Sequence, residues 1–161
     1  MIILAIDPAL RHTGFAVLSV EGRVMRALEY GTIVNPAKRT EPECLLSIHS
    51  QVTEVIARHS PEVCAVEGVI FVQSYKTAIS MGAARGSAIL AAAAAGIPIH
   101  EYAPKRVKQA VSGRGGAAKG QVAFMVRALL KLTETPASDE ADALAIAITH
   151  AQSIRPLGLR S

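Results

Sequence analysis

Cysteine is scarce in this 161-residue chain: Cys44 and Cys64 stand alone, in no CxxC or Cys/His ligand spacing. That excludes a secreted disulfide scaffold and a thiolate zinc site, and both thiols read as reduced filler. Long apolar runs are missing too. The longest, Gly86 to Ile99, is closed by Arg85 and Glu101, contains Pro98 and falls short of the roughly 20 residues a bilayer span requires. Met1 to Ile6 has no basic leader, and Asp7 interrupts it too early for a signal peptide. These absences lead to the expectation of a cytoplasmic chain with no membrane partner.

Acidic side chains are few where bases are many. Between Gly68 and Thr133 the one acid is Glu101, against nine bases: Lys76, Arg85, Lys105, Arg106, Lys108, Arg114, Lys119, Arg127 and Lys131. The net charge of +4 hides this division, because the rest of the chain holds eight bases and twelve acids. Aspartate occurs three times, as Asp7, Asp139 and Asp142, close to the two ends. The length suits one compact domain, too short for a two-lobed kinase and large enough that a bound metal would serve chemistry rather than folding. A pI near 9.3 with a concentrated basic block makes a polyanion the expected partner.

What is present reads as an α/β chain. Ile2 to Ile6 is a continuous apolar run ended by Asp7-Pro8, which suits a strand buried on both faces. Gly14 to Ser19 and Val24 to Ile33, joined at Glu21-Gly22-Arg23, predict a hairpin beside it. Pro42 to His59 carries Leu45, Ile48, Val52 and Ile56 at helical spacing, with Pro61 as the stop. Val63 to Glu67 and Ile97 to Tyr102 are further strands, separated by a small-residue helix from Ser74 to Ala95 whose Gly82 and Gly86 would let another backbone approach. A short helix from Pro104, a glycine-rich loop from Val111 to Ala117, an amphipathic helix from Ala118 to Leu132 and a last helix from Ser138 to Gln152 complete the order. Helical crossovers put strands four and five parallel to the first, in one five-stranded mixed sheet with helices on both faces.

Four carboxylates stand out. Asp7 and Glu67 end strands that share a carboxyl edge, where such sheets place ligands. Singly, each has an ordinary alternative: Asp before Pro forms turns, and a Glu after a strand is commonly solvated. Asp139 and Asp142 lie three apart on one helix face. Asp139 follows Ser138, a good N-cap, and suits the helix dipole. Asp142 sits in a segment apolar all round, where a carboxylate must be hydrogen-bonded, protonated or neutralised by a cation, an arginine included. Together the four offer hard oxygen ligands with no His or Cys, a set that selects Mg²⁺ or Mn²⁺. Two such ions about 4 Å apart would hold a phosphodiester and lower the pKa of an attacking water.

From Tyr102 to Thr133 there are seven bases and no acid, and Lys119, Arg127 and Lys131 fall within about 120° on a helix of 3.6 residues per turn. That stripe could follow a phosphate backbone, although a basic run is also an ordinary solvated face. The loop Ser112-Gly113-Arg114-Gly115-Gly116 fails the nucleotide-binding pattern GxxxxGK[ST], since Ala118 and Gly120 stand where Gly and Ser/Thr belong. It still suits a phosphate of a longer polymer.

Ile-Asp7-Pro8 with Thr13-Gly14, Val66-Glu67, Ala84-Arg85-Gly86, Val107-Lys108-Gln109, Ala118-Lys119, Met125-Val126-Arg127 and the closing Asp139-Glu-Ala-Asp142-Ala-Leu-Ala-Ile-Ala-Ile-Thr-His150 together resemble the RuvC Holliday-junction resolvases. The resemblance runs from Ile2 to Ala151 and is weakest from Glu21 to Arg58. It implies a ribonuclease-H-like nuclease domain over 1–152 with a short basic tail at 153–161, a homodimer, and Mg²⁺-dependent symmetric cutting of four-way junction DNA. It implies cooperation with the branch-migration complex of RuvA and RuvB. The family's metal-binding acids fall on Asp7, Glu67, Asp139 and Asp142, and its active-site and DNA-binding lysines on Lys108 and Lys119. With Lys119 among the catalytic residues, the expected DNA contacts are Lys76, Arg85, Lys105, Arg106, Lys108, Arg114, Lys119 and Arg127. Two positions depart from the pattern. Ala9 replaces the usual Gly after Asp-Pro, and Ile70 occupies the place of an aromatic wedge against the crossover bases, with Phe71 next to it as the other candidate.

The same early Asp-Pro and Thr-Gly pattern occurs in the YqgF-type nucleases that trim ribosomal RNA precursors, which lack this VKQ and closing DxxD. A non-cleaving module for branched DNA is a third reading. Four acids near DNA repel phosphate unless a cation is present, which speaks against it.

Overall fold

The computed structural model describes residues 1–68 and 74–154. The elements follow in the order β1 (Ile2–Asp7), β2 (His12–Glu21), β3 (Val24–Val34), α1 (Glu41–His59), β4 (Val63–Glu67), α2 (Tyr75–Ala94), β5 (Ile99–Tyr102), α3 (Pro104–Ser112), α4 (Lys119–Leu130) and α5 (Ser138–Ser153). They build one five-stranded sheet in the order β3-β2-β1-β4-β5. β1 pairs antiparallel with β2 and parallel with β4, and β5 is parallel to β4. This is the mixed α/β arrangement that the alternation of apolar runs and helical segments predicts.

Strand alternation assigns the two faces. Ile3, Ala5, Ala16, Leu18 and Ala65 pack beneath α3, α4 and α5, whereas Leu4, Ile6, Val17, Cys64 and Val66 pack against α1 and α2. Each core therefore draws one residue in two from the same short strands. Helix α5 lies buried over most of its length, from Ala141 through Ala151 apart from a half-buried Asp142. Its Ala and Ile side chains let it cross the sheet closely. Both cysteines are buried in the α1–α2 half, and burial pushes the Cys64 thiol up to about 12, so it stays protonated and inert near neutral pH.

Several boundaries differ from the sequence reading, each for a local reason. The hairpin extends to His12–Glu21 and Val24–Val34 around Gly22 at φ 57°, and a register shift between Val17 and Leu18 absorbs one extra residue of β3. Ser60, at φ 46°, ends α1 before Pro61 is reached. Ser138 is not the cap of α5: Ala137 holds that place, and its N–H donates to the Glu140 carboxylate at 3.0 Å. Helix α4 ends at Leu130 because Lys131 turns left-handed at φ 54°, so Lys131 leaves the stripe that its spacing from Lys119 and Arg127 predicts. Among the described residues a Cβ on Gly82 or Gly86 would meet nothing within 4 Å; the close approach of α2 to the protein falls instead on Ala84, Ala88, Ala91 and Ala92.

Candidate active site

Asp7 and Glu67 are the last residues of adjacent parallel strands, one step beyond the Ile6–Val66 pair. By alternation they share the face of Ala5 and Ala65, under α3, α4 and α5. The first turn of α5 reaches the same edge through Gly14. A Cβ on Gly14 would lie 2.1 Å from the Asp139 carbonyl oxygen, so the absence of a side chain is what allows α5 to seat there. From that seat Asp142 enters a cleft of about 340 Å³ lined by Asp7, Glu67, Lys108, Lys119 and Asp142, with Pro104, Val107, Val122 and Ala145 as apolar walls. Asp139 is near enough to raise the pKa of Asp7 but does not line the cleft.

The electrostatics are those of an anion cluster without enough counter-charge. Burial pushes the Asp7 carboxyl up to about 6, with repulsion from Asp142 and Asp139 adding to it and Lys119 opposing. Burial likewise takes Glu67 up to about 7, with Asp7 and Asp142 adding and Lys108 and Lys119 opposing. Lys119 Nζ lies 3.4 Å from Asp142 Oδ2 while most of its side chain stays exposed. Among the described residues no three His, Cys, Asp or Glu side chains close on a single point. The carboxylates instead face a shared cavity, with oxygen donors alone and two lysines at its margin. Such a donor set fits a hard divalent cation, which would offset the burial and the added repulsion that hold both pKa values high.

The loop after Asp7 is tied down by Thr13 of the Thr-Gly pattern and by two groups, Asn35 and Arg11, that carry no motif in the sequence. Thr13 Oγ1 donates to the Ala9 carbonyl at 2.6 Å and accepts from the Ala9 N–H at 3.3 Å, closing the Asp-Pro turn on itself. Buried Asn35 donates to the Leu10 carbonyl at 2.8 Å, and Arg11 Nη1 donates to the carbonyls of Pro36 and Arg39 at 2.7 and 2.9 Å. These contacts span from β1 to the β3–α1 connection. No pattern at one position signals those of Asn35 and Arg11.

The predicted bases divide. Lys108 and Lys119 reach the cleft, and Lys76, Lys105, Arg114 and Arg127 are exposed. Arg106 places its guanidinium 5.7 Å from the centroid of the Tyr102 ring. Arg85 is mostly covered and ion-paired to Glu101 within the chain. Ile70 and Phe71 lie outside the described residues.

Residues 3–150 match the family model described as crossover junction endodeoxyribonuclease RuvC. A relative of that name from Akkermansia muciniphila is 55% identical over 157 residues, 98% of this chain and 94% of its own length. Another, from Citrifermentans bemidjiense, is 45% identical over 153 residues, covering 95% and 93%. Among solved structures, T. thermophilus RuvC in complex with Holliday junction substrate superimposes with a TM-score of 0.88 at 41% identity over 94% of this chain and 93% of that one. The yeast mitochondrial Holliday junction resolvase Ydc2 shares the fold at a TM-score of 0.65 and 13% identity. With an acid-lined edge at the carboxyl ends of β1 and β4 and a family match running from the first strand to the last helix, the chain belongs to the RuvC family of crossover junction endodeoxyribonucleases.

Proposed function

We infer that this chain is the nuclease that resolves four-way DNA junctions, cutting two strands symmetrically, with Mg²⁺ as its ion and Mn²⁺ able to substitute. The observation that carries the reading is the cleft in which Asp7, Glu67 and Asp142 repel one another beside Lys108 and Lys119. Those three acids, with Asp139 at the margin, would hold two ions. When bound, the ions supply Lewis acidity toward the phosphodiester and its attacking water. The chain contributes the rest. The strand ends fix Asp7 and Glu67, α5 brings Asp142, and the walls formed by Val107, Val122 and Ala145 limit bulk water on one side of the reacting group. Lys119 and Lys108 offer positive charge to the scissile phosphate, with Lys119 free to swing because its stem is exposed.

One chain offers one acid cleft, so paired incisions call for a symmetric dimer. Helix α2 supports this: Tyr75 (92% exposed), Ile79 (70%), Gly82, Gly86 and Leu90 recur at intervals of three or four along one outward face. The proposed DNA surface comprises Lys76, Lys105, Arg106, Arg114 and Arg127 around the lysines of the cleft. Operation with the RuvA and RuvB branch-migration complex, and in the cytoplasm, belongs to the same proposal; among the described residues no helix is long and apolar enough to cross a membrane. The RNA-processing and non-cleaving readings give way to the family match.

Asp142→Asn keeps shape and removes a charge. It should abolish Mg²⁺-dependent cutting of a synthetic four-way junction while leaving junction binding intact or tighter; normal cutting by this variant would remove Asp142 from the metal site.

A further inference from the structure

We propose that Arg85 and Glu101 are positioning residues for Glu67, acting through the end of β5 rather than on DNA. The inference rests on the reading of Glu67 as a metal-holding carboxylate. β5 has four residues and, among the described residues, lies at the sheet edge and pairs with β4 alone, the kind of strand whose end frays. Yet its last two residues carry the final ladder contacts of β4: Glu67 pairs with Tyr102, and the Gly68 N–H donates to the Tyr102 carbonyl at 2.9 Å. Where Tyr102 sits therefore sets where β4 ends and where Glu67 points.

That end is gripped from both faces. On the α5 side the Tyr102 hydroxyl is hydrogen-bonded to His150 Nδ1 at 2.7 Å and Ser153 Oγ at 2.8 Å. On the α2 side the neighbouring Glu101 carboxylate is ion-paired to Arg85, and its Oε2 stands 3.7 Å from where a Gly68 Cβ would be. The pair thus lies directly beneath the Glu67–Gly68 step, on the face opposite the cleft. Arg85 is held there at a cost, since among the described residues its buried Nε has no hydrogen-bond partner. A charged group in the middle of an alanine-rich helix, mostly covered and incompletely satisfied, is a poor choice for stability alone and a poor choice for meeting phosphate. It is suited to fixing β5 against α2.

The test uses the full-length protein with Arg85→Gln, Glu101→Gln and the exchange Arg85→Glu/Glu101→Arg. Mn²⁺ affinity of the DNA-free protein is measured by electron paramagnetic resonance, junction affinity by gel shift in EDTA, and single-turnover cutting at saturating junction as a function of Mn²⁺. The expected result is Mn²⁺ affinity weakened about tenfold in each single variant, the size typical of lost support behind a metal ligand. Cutting should slow at fixed Mn²⁺ and recover as Mn²⁺ is raised, junction affinity in EDTA should stay within about twofold, and the exchange should restore part of the metal affinity. Unchanged Mn²⁺ affinity in the folded single variants would overturn the proposal. So would loss of junction affinity with Mn²⁺ binding intact, which would make Arg85 a phosphate contact. Glu101→Gln decides the matter if Arg85→Gln fails to fold, because the Glu101 side chain is 58% exposed and its loss leaves no cavity. Absence of Mn²⁺ binding by the unaltered protein would instead overturn the reading of Glu67 itself.

Discussion

Gly14 and Asp139 meet backbone to backbone: a methyl group on Gly14 would stand 2.1 Å from the Asp139 carbonyl oxygen, and 3.5 Å from the Ala143 Cβ. Gly14 also pairs with Asp7 across β1 and β2. The same residue therefore ties the strand that ends in Asp7 to the helix that begins with Asp139 and Asp142. Its small size fixes the separation of the proposed ligands.

Gly14→Ala should push the first turn of α5 away from the sheet. The opposing atom is backbone, so no side chain can swing aside. A destabilisation of about 3 kcal/mol is expected, the upper part of the range for overpacking, which corresponds to roughly 6–12 °C in Tm for a chain of this size. Circular dichroism melting checks the first effect. Cutting of a junction well below the lowered Tm checks the second: activity should fall by more than the folded fraction, because Asp142 is displaced. Full specific activity in the folded variant would show that the seat of α5 does not set the site.

The approach of three acids to one cleft is legible in the sequence because each obeys a simple rule: Asp7 and Glu67 end apolar runs before a turn, and Asp142 is a carboxylate in an apolar helical segment. Asp139, three residues before it, stays at the margin. Parallel strand order then follows from helical crossovers, so the meeting of Asp7 and Glu67 can be anticipated. The rest depends on contacts between distant segments. Arg85 reads like any other base in the positive block until the fold sets Glu101 beside it. Lys131 fits the helical stripe by spacing, but a left-handed residue at that position ends the helix first. Thr13, Asn35 and Arg11 fasten the Asp7 turn through side-chain bonds to backbone, which leave no periodic trace. The glycines of α2 suggest close packing, whereas the structure shows them facing outward.

Stability of the metal-free protein should fall as pH rises from about 4 to about 7. Asp7, near 6, and Glu67, near 7, both sit above their ordinary values of 3.8 and 4.5, so the folded state binds protons more tightly than the unfolded chain across that window. The stabilisation is complete below the ordinary values and is lost as pH climbs through the raised ones. Ionising both groups in the fold costs on the order of 2 kcal/mol, well below the full 1.4 kcal/mol or so for each tenfold change in proton affinity, because both carboxylates face an open cleft. Glu29, held below its usual value first by its hydrogen bond to Arg58, acts at more acidic pH. His150, held below its usual value by burial and by His100, opposes the loss within the window but is one group against two. Urea unfolding in EDTA at several pH values measures the slope. Asp7→Asn and Glu67→Gln should each flatten it, and Mg²⁺ should stabilise the unaltered protein more at pH 8 than at pH 5. A slope of opposite sign would mean that the carboxylates are already neutralised within the chain.

Lys119→Ala separates the two roles open to that lysine. Its ammonium lies 3.4 Å from Asp142 and lowers the pKa of both Asp7 and Glu67, so removing it should raise both carboxyl groups further. The acidic limb of the pH–rate profile should then move to higher pH, and a higher pH should be needed for metal to bind. If the lysine also meets a DNA phosphate, the dependence of junction affinity on salt should lose about one unit of slope. Gel-shift titrations in EDTA at several salt concentrations read the second effect without interference from the first. A displaced pH limb with an unchanged salt slope would confine Lys119 to the carboxylate cluster. A changed slope with an unmoved limb would make it a phosphate contact whose proximity to Asp142 has no bearing on the proton balance of the site.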